Sequence, residues 1–106
     1  FFLGLDPSEI LLEGNLLGSK LVLNEFVAFQ QLGSMISSMD YRTGMICAIS
    51  LCGFANFSSL GICVSGIAVL CPEKKSTLAR LVFKAMLGGV AVSLISAMTV
   101  GLVTLC

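Results

Sequence analysis

Apolar and polar positions divide this chain into three long apolar stretches separated by short charged interruptions. Residues 43–72 carry no charge, nor do residues 85–106, and residues 10–39 contain only Glu13, Lys20 and Glu25. A run of about 18 or more apolar residues has the length of a membrane-spanning helix. The last run, 22 residues long, predicts one such helix. Gly88-Gly89, Ser93, Ser96 and Gly101 supply it with small residues for close packing. The middle run, 30 residues long, would make a continuous helix of about 45 Å against a hydrocarbon core of about 30 Å. Its centre, Gly53-Phe54-Ala55-Asn56-Phe57-Ser58-Ser59-Leu60-Gly61, sets two glycines around a polar cluster of weak helix formers. The pattern predicts a broken helix with a short unwound centre. Such backbone is tolerated at membrane depth only where protein or a watery cavity satisfies it.

The first stretch opens on Asp6-Pro7-Ser8-Glu9, with Asp placed as N-cap, Pro at N1 and Glu at N3. One span would need only about 20 of the residues that follow, whereas two half-helices of about 14 residues would each reach about 21 Å and turn back. Polarity returns abruptly at Leu23-Asn24-Glu25. The prediction is a re-entrant hairpin: helix 7–22, tip 23–25, helix 26–38. The loop Asp40-Tyr41-Arg42-Thr43 closes that unit, and Pro72-Glu73-Lys74-Lys75-Ser76 separates the broken helix from the last one. Lys74, Lys75, Arg80 and Lys84 gather there, so the positive-inside rule puts loop 72–76 in the cytoplasm. Residue 42 and the C-terminus are then outside, and the hairpin enters from the outer side. The expected fold class is an all-α integral membrane protein: a re-entrant helical hairpin (7–38), a discontinuous transmembrane helix (43–70) and a final transmembrane helix (77–105). No internal repeat is visible.

Composition agrees. Of the 106 residues, 57% are hydrophobic and 11% charged, and mean hydropathy is +1.03. A soluble domain carries about 25% charged residues, so a soluble enzyme is largely excluded. The charges balance to zero, which argues against a nucleic-acid partner, because that needs a basic face. Histidine is absent, removing the commonest metal ligand and general base. The five cysteines, at 47, 52, 63, 71 and 106, include no CxxC pair and read as small hydrophobes. No metal site or nucleophile–base pair is expected. The Phe1-Phe2 start, without Met or a basic n-region, reads as the middle of a longer protein rather than a signal peptide.

Glu25 is the first candidate for chemistry. It is the only acid between residues 14 and 39, and a carboxylate at membrane depth is costly enough to imply function. Ionised, it only accepts hydrogen bonds, which suits a sugar or polyol hydroxyl. The structural alternative is an ion pair with Lys20, five residues away and so not an i,i+4 partner. Asn56, Ser58 and Ser59 form a second cluster that could bind substrate, bind an ion, or satisfy freed backbone. Phe54 and Phe57 read as packing, with Phe54 the candidate for substrate contact. Asn24 suits a turn. Lys20 is expected to snorkel or to cap the first half-helix, and Gln30 and Gln31 to link helices. A hairpin tip and a broken helix bringing polar groups to the midplane is the layout of half of an inverted-repeat secondary transporter.

Two segments carry a resemblance. Gly18-Ser19-Lys20-Leu21-Val22-Leu23-Asn24-Glu25-Phe26-Val27-Ala28-Phe29 resembles the G-x-K-x-x-x-N-E-F-V-A-Y signature of the concentrative nucleoside transporters. Leu51-Cys52-Gly53-Phe54-Ala55-Asn56-Phe57-Ser58-Ser59-Leu60-Gly61-Ile62 resembles that family's A-L-C-G-F-A-N-F-S-S-I-G-I segment. Their order and spacing agree, over nearly the whole chain. Phe29 stands for the usual Tyr and Leu60 for the usual Ile. The resemblance implies uphill nucleoside import driven by Na+ or H+, in a homotrimer whose transport domains move like elevators. It implies that 7–38 is the family's second hairpin, that Glu25 bonds ribose hydroxyls with Asn56 and Ser59 beside it, and that Phe54 lies near the base. The family's first hairpin, with its Gly-Gln-Thr-Glu-like base-reading motif, and its main sodium ligands have no counterpart in these 106 residues. Base selectivity and the choice of coupling ion therefore stay open. Two rival readings are a small non-transporting membrane subunit and an ion-conducting element with Glu25 as proton relay.

Overall fold

The computed structural model describes residues 1–105. Five helices follow in chain order: α1 (Pro7–Val22), α2 (Glu25–Met35), α3 (Tyr41–Leu51), α4 (Phe57–Leu70) and α5 (Lys75–Val103). Short 3-10 turns, Ile36–Ser38 and Pro72–Lys74, lead out of α2 and into α5. The fold is all-α.

Local chemistry sets the boundaries. Asp6 stands at the N-cap of α1 with Pro7 behind it, but its side chain makes no cap bond. The Glu9 carboxylate turns instead to the Thr43 hydroxyl on α3, 2.9 Å away. α2 begins at Glu25, because Asn24 Oδ1 accepts from the Val27 amide at 3.0 Å and caps the helix one residue earlier than the polarity pattern suggests. α3 begins at Tyr41 inside the expected loop, because Asp40 accepts from the Arg42 amide at 3.1 Å. The charge pattern located the interruptions at Asn24 and Asp40 but did not show that these two residues cap helices.

α1 and α2 are joined by two residues, Leu23 and Asn24, and fold back on each other. At 16 and 11 residues they are about 24 and 16 Å long, each short of a hydrocarbon core of about 30 Å. Leu16, Ala28 and Leu32 bury against Cys47 and Leu51 of α3. α3 and α4, of 11 and 14 residues, are likewise half-length. α5, of 29 residues, is long and apolar enough to cross a membrane. It lies along both halves of the broken helix.

α5 meets the rest through Gly89, Ser93, Ala97 and Gly101, four residues apart and so on one face. Met86, Ser93, Ala97 and Gly101 are its buried residues. A Cβ on Gly89 would come within 3.0 Å of the Ala55 Cβ. At the far end, Leu3, Leu5, Ile46 and Ala97 form a second apolar cluster. Arg42 ties it together, donating to the carbonyls of Gly4 and Gly101, each at 2.7 Å, and to Thr104 Oγ1 at 3.1 Å.

A Cβ on Gly101 would collide with the Leu3 carbonyl oxygen, a backbone atom. Gly101→Ala gains about 1 kcal/mol of helix propensity, but overpacking costs about 1–3 kcal/mol and the Arg42 bonds suffer as well. The variant is expected to unfold at lower temperature in detergent. A midpoint equal to the parent's would show that the N-terminal segment does not need this close approach.

Candidate functional site

The break between α3 and α4 runs from Cys52 to Asn56. Gly53 has φ +113°, a conformation that side-chain-bearing residues rarely adopt. Phe57 to Gly61 are already helical, so the unwound part is shorter than the polar cluster. Asn56 caps α4 through a capping box. Its Oδ1 accepts from the Ser59 amide at 2.8 Å, and Ser59 Oγ accepts from the Asn56 amide at 3.1 Å. The Ser59 hydroxyl also reaches the Phe54 carbonyl at 2.8 Å. Asn56 and Ser59 are 0% and 2% exposed.

Two asparagine-capped helix starts meet here. Glu25, the first residue of α2, accepts a hydrogen bond from Asn56 Nδ2, the cap of α4, at 2.6 Å. A helix N-terminus carries about half a positive charge, which favours a carboxylate in its first turn. The structure thus brings Glu25, Asn56 and Ser59 together. Phe54 is in the same loop, with its side chain 55% exposed. It lines an apolar groove of about 520 Å³ between α4 and α5, together with Gly53, Ser59, Met86 and Gly89. Ser58 is exposed, and Phe57 stacks loosely on Phe83 with ring centroids 6.4 Å apart.

Lys20 corrects an expectation. It neither snorkels nor caps its own helix, being 1% exposed. Its ammonium donates to the carbonyls of Ser50 at 3.0 Å and Cys52 at 3.2 Å, and to Ser93 Oγ at 3.1 Å. Those three bonds use all its donors, so no hydrogen bond is left for Glu25. The reason is location. Lys20 lies in the last turn of α1, beside the end of α3 where it unwinds, and the carbonyls stranded there take its donors.

A polar seam between α1 and α3 also escaped the sequence. The Ser50 hydroxyl bonds Glu13 Oε1, and Glu13 Oε2 is buried without a partner among the described residues. Thr43 bonds Glu9. Glu9, Glu13 and Lys20 lie at offsets 0, 4 and 11 on α1, and Thr43, Cys47 and Ser50 at 0, 4 and 7 on α3. That helical spacing of polar residues was the available signal. Gln30 and Gln31 lie on the exposed face of α2. Cys47 is buried, while Cys52, Cys63 and Cys71 are exposed, and all four are free. Cys106 lies outside the described residues.

A half-length hairpin, a broken helix and a long apolar helix, with polar side chains gathered at the helix ends, make up an all-α membrane fold. The family model described as "Na+ dependent nucleoside transporter C-terminus" matches residues 1–101. The chain belongs to that family. It is 43% identical to the uncharacterized transporter YutK of Bacillus subtilis (strain 168), over 96% of this chain and 25% of that protein. It is 34% identical to human sodium/nucleoside cotransporter 1, over 96% of this chain and 18% of that one. Among solved structures, CNTnw in an inward-facing substrate-bound state superposes with a TM-score of 0.93 at 34% identity, over 98% of this chain and 26% of that chain. The relatives are transporters, not enzymes, and the chain spans a quarter or less of the two curated relatives named.

Asn56→Asp would keep an acceptor for the Ser59 amide but set a second carboxylate against Glu25. It loses a charge-assisted bond and adds like-charge repulsion, about 1.5–3 kcal/mol for the bond alone. A lower unfolding temperature in detergent is expected, further below the parent than for Asn56→Ser. Equal stability of the two variants would mean that the Glu25 contact contributes nothing.

Proposed function

We propose that this chain forms part of the transport domain of a cation–nucleoside symporter and supplies the ribose-binding half of its site. The observation that carries the reading is the Glu25–Asn56 hydrogen bond where the α2 and α4 N-termini meet. The family and its sodium/nucleoside cotransporter relatives suggest the substrate class. A carboxylate offers about four acceptor positions, and Asn56 takes one, leaving Glu25 able to accept two ribose hydroxyls. Asn56 has a second amide proton to share with a ribose oxygen. Ser59 holds Asn56 in place at the ribose side, and the exposed ring of Phe54 lies toward the base.

In this reading residues 7–38 enter and leave on the outer side as a re-entrant hairpin, 43–70 is the broken helix and 77–105 the last span. Loop 72–76 is cytoplasmic and the C-terminus external, as Lys74, Lys75 and the nearby Arg80 and Lys84 favour. Na+ is the coupling ion suggested by the family description, with its ligands outside this chain, and H+ is the alternative. The whole protein works as a homotrimer in the bilayer.

Glu25→Ala in the full-length protein is expected to abolish radiolabelled uridine uptake while leaving membrane insertion intact. Losing a charged hydrogen bond of about 1.5–3 kcal/mol lowers affinity roughly ten- to a hundredfold. A 2′,3′-dideoxynucleoside should be a poor substrate of the parent for the same reason, and uptake equal to uridine's would refute the ribose assignment. Running the assay with and without a sodium gradient identifies the driving ion.

A further inference from the structure

We propose that Lys20 is a built-in cation at the helix break, a positioning residue that locks the hairpin tip onto the unwound segment. This rests on the transport reading above. The last carbonyls of a helix have no intrahelical partner, and they form the negative end of its dipole. Where transporter helices break, those carbonyls and half-helix C-terminal ends are the groups that hold a coupling cation. In this chain, Lys20 Nζ fills that place. Two break carbonyls, Ser50 and Cys52, and one hydroxyl, Ser93, surround it at 3.0–3.2 Å. The set is three neutral oxygens from two other helices, converging on one buried positive charge.

The charge is attached to the hairpin. Lys20 lies five residues before Glu25, so the ammonium and the carboxylate grip the broken helix from opposite sides of its gap. Lys20 holds the end of α3, and Glu25 holds Asn56 at the start of α4. Lifting the tip would strand an ammonium and at least two carbonyls together. Lys20 therefore sets where Glu25 stands, without itself touching the substrate.

A site built for an ammonium should accept one from solution once the side chain is cut away. In the full-length protein, Lys20→Ala is expected to unfold at lower temperature than the parent. Methylammonium chloride, but not choline chloride at equal ionic strength, should raise that temperature, while the parent responds to neither. In proteoliposomes the variant's uridine uptake should fall about tenfold or more, equivalent to about 1.4 kcal/mol, and recover in part with methylammonium. A variant matching the parent, or a loss that methylammonium does not repair in either assay, overturns the proposal. If Lys20→Ala does not reach the membrane, Ser93→Ala decides. It removes one of the three oxygens without touching the hairpin, and should raise the uridine KM severalfold. An unchanged KM overturns the proposal. A parent without uridine uptake would defeat the transport reading alone, since the thermal arm still decides Lys20.

Discussion

A backbone that leaves helical geometry in hydrocarbon strands polar groups, each costing several kcal/mol when unpaired. In the proposed broken span this happens between Leu51 and Phe57, and much of the polar sequence answers that break. The two sides need opposite partners. The carbonyl side needs a donor, and the Lys20 ammonium supplies it from α1, with Ser93 as the third oxygen. The amide side needs acceptors, and Asn56 and Ser59 supply them locally. A lysine could not serve the amide side, since it has no acceptor. An asparagine could cover the carbonyl side only in part, with fewer donors and no charge.

Glu25 depends on this arrangement. Its charge is stabilised by its position at a helix start and by the Asn56 amide. Asn56 is available because the capping box consumes its oxygen and leaves its nitrogen free to donate outward. The orientation of the amide is therefore fixed by a bond within α4, not by Glu25. A carboxylate held by a donor that is itself held is a rigid acceptor, and rigidity limits the entropy lost in the proposed binding of hydroxyls.

Much of this was legible from residue order. The charge-free runs placed the long helix, and their lengths against a bilayer required the break. Gly53 and Asn56 marked where it falls, because one relaxes the backbone and the other caps. Glu25 stood out by isolation. Lys20 and Glu13 did not, since a lone charge in an apolar stretch reads equally as surface-seeking or buried. What decided between them was the partner, 30 to 73 residues away in sequence for Lys20. Long-range pairing leaves no local trace. Only the helical spacing of Glu9, Glu13 and Lys20 against Thr43, Cys47 and Ser50 hinted at a shared face.

The two kinds of contact in the molecule divide the work of holding it. The hairpin tip is fixed by directional bonds from charged groups, which have few alternative geometries. α5 is fixed mainly by close approach through Gly89, Ala97 and Gly101, with Ser93 its polar contact to Lys20. Ser93 is thus the point where the apolar seam and the polar clasp coincide. A small residue is needed at 93 so that α5 can come near Gly53, and a hydroxyl is needed so that the ammonium is complete. Serine is the smallest side chain that meets both demands, since alanine lacks the acceptor and threonine adds a methyl group.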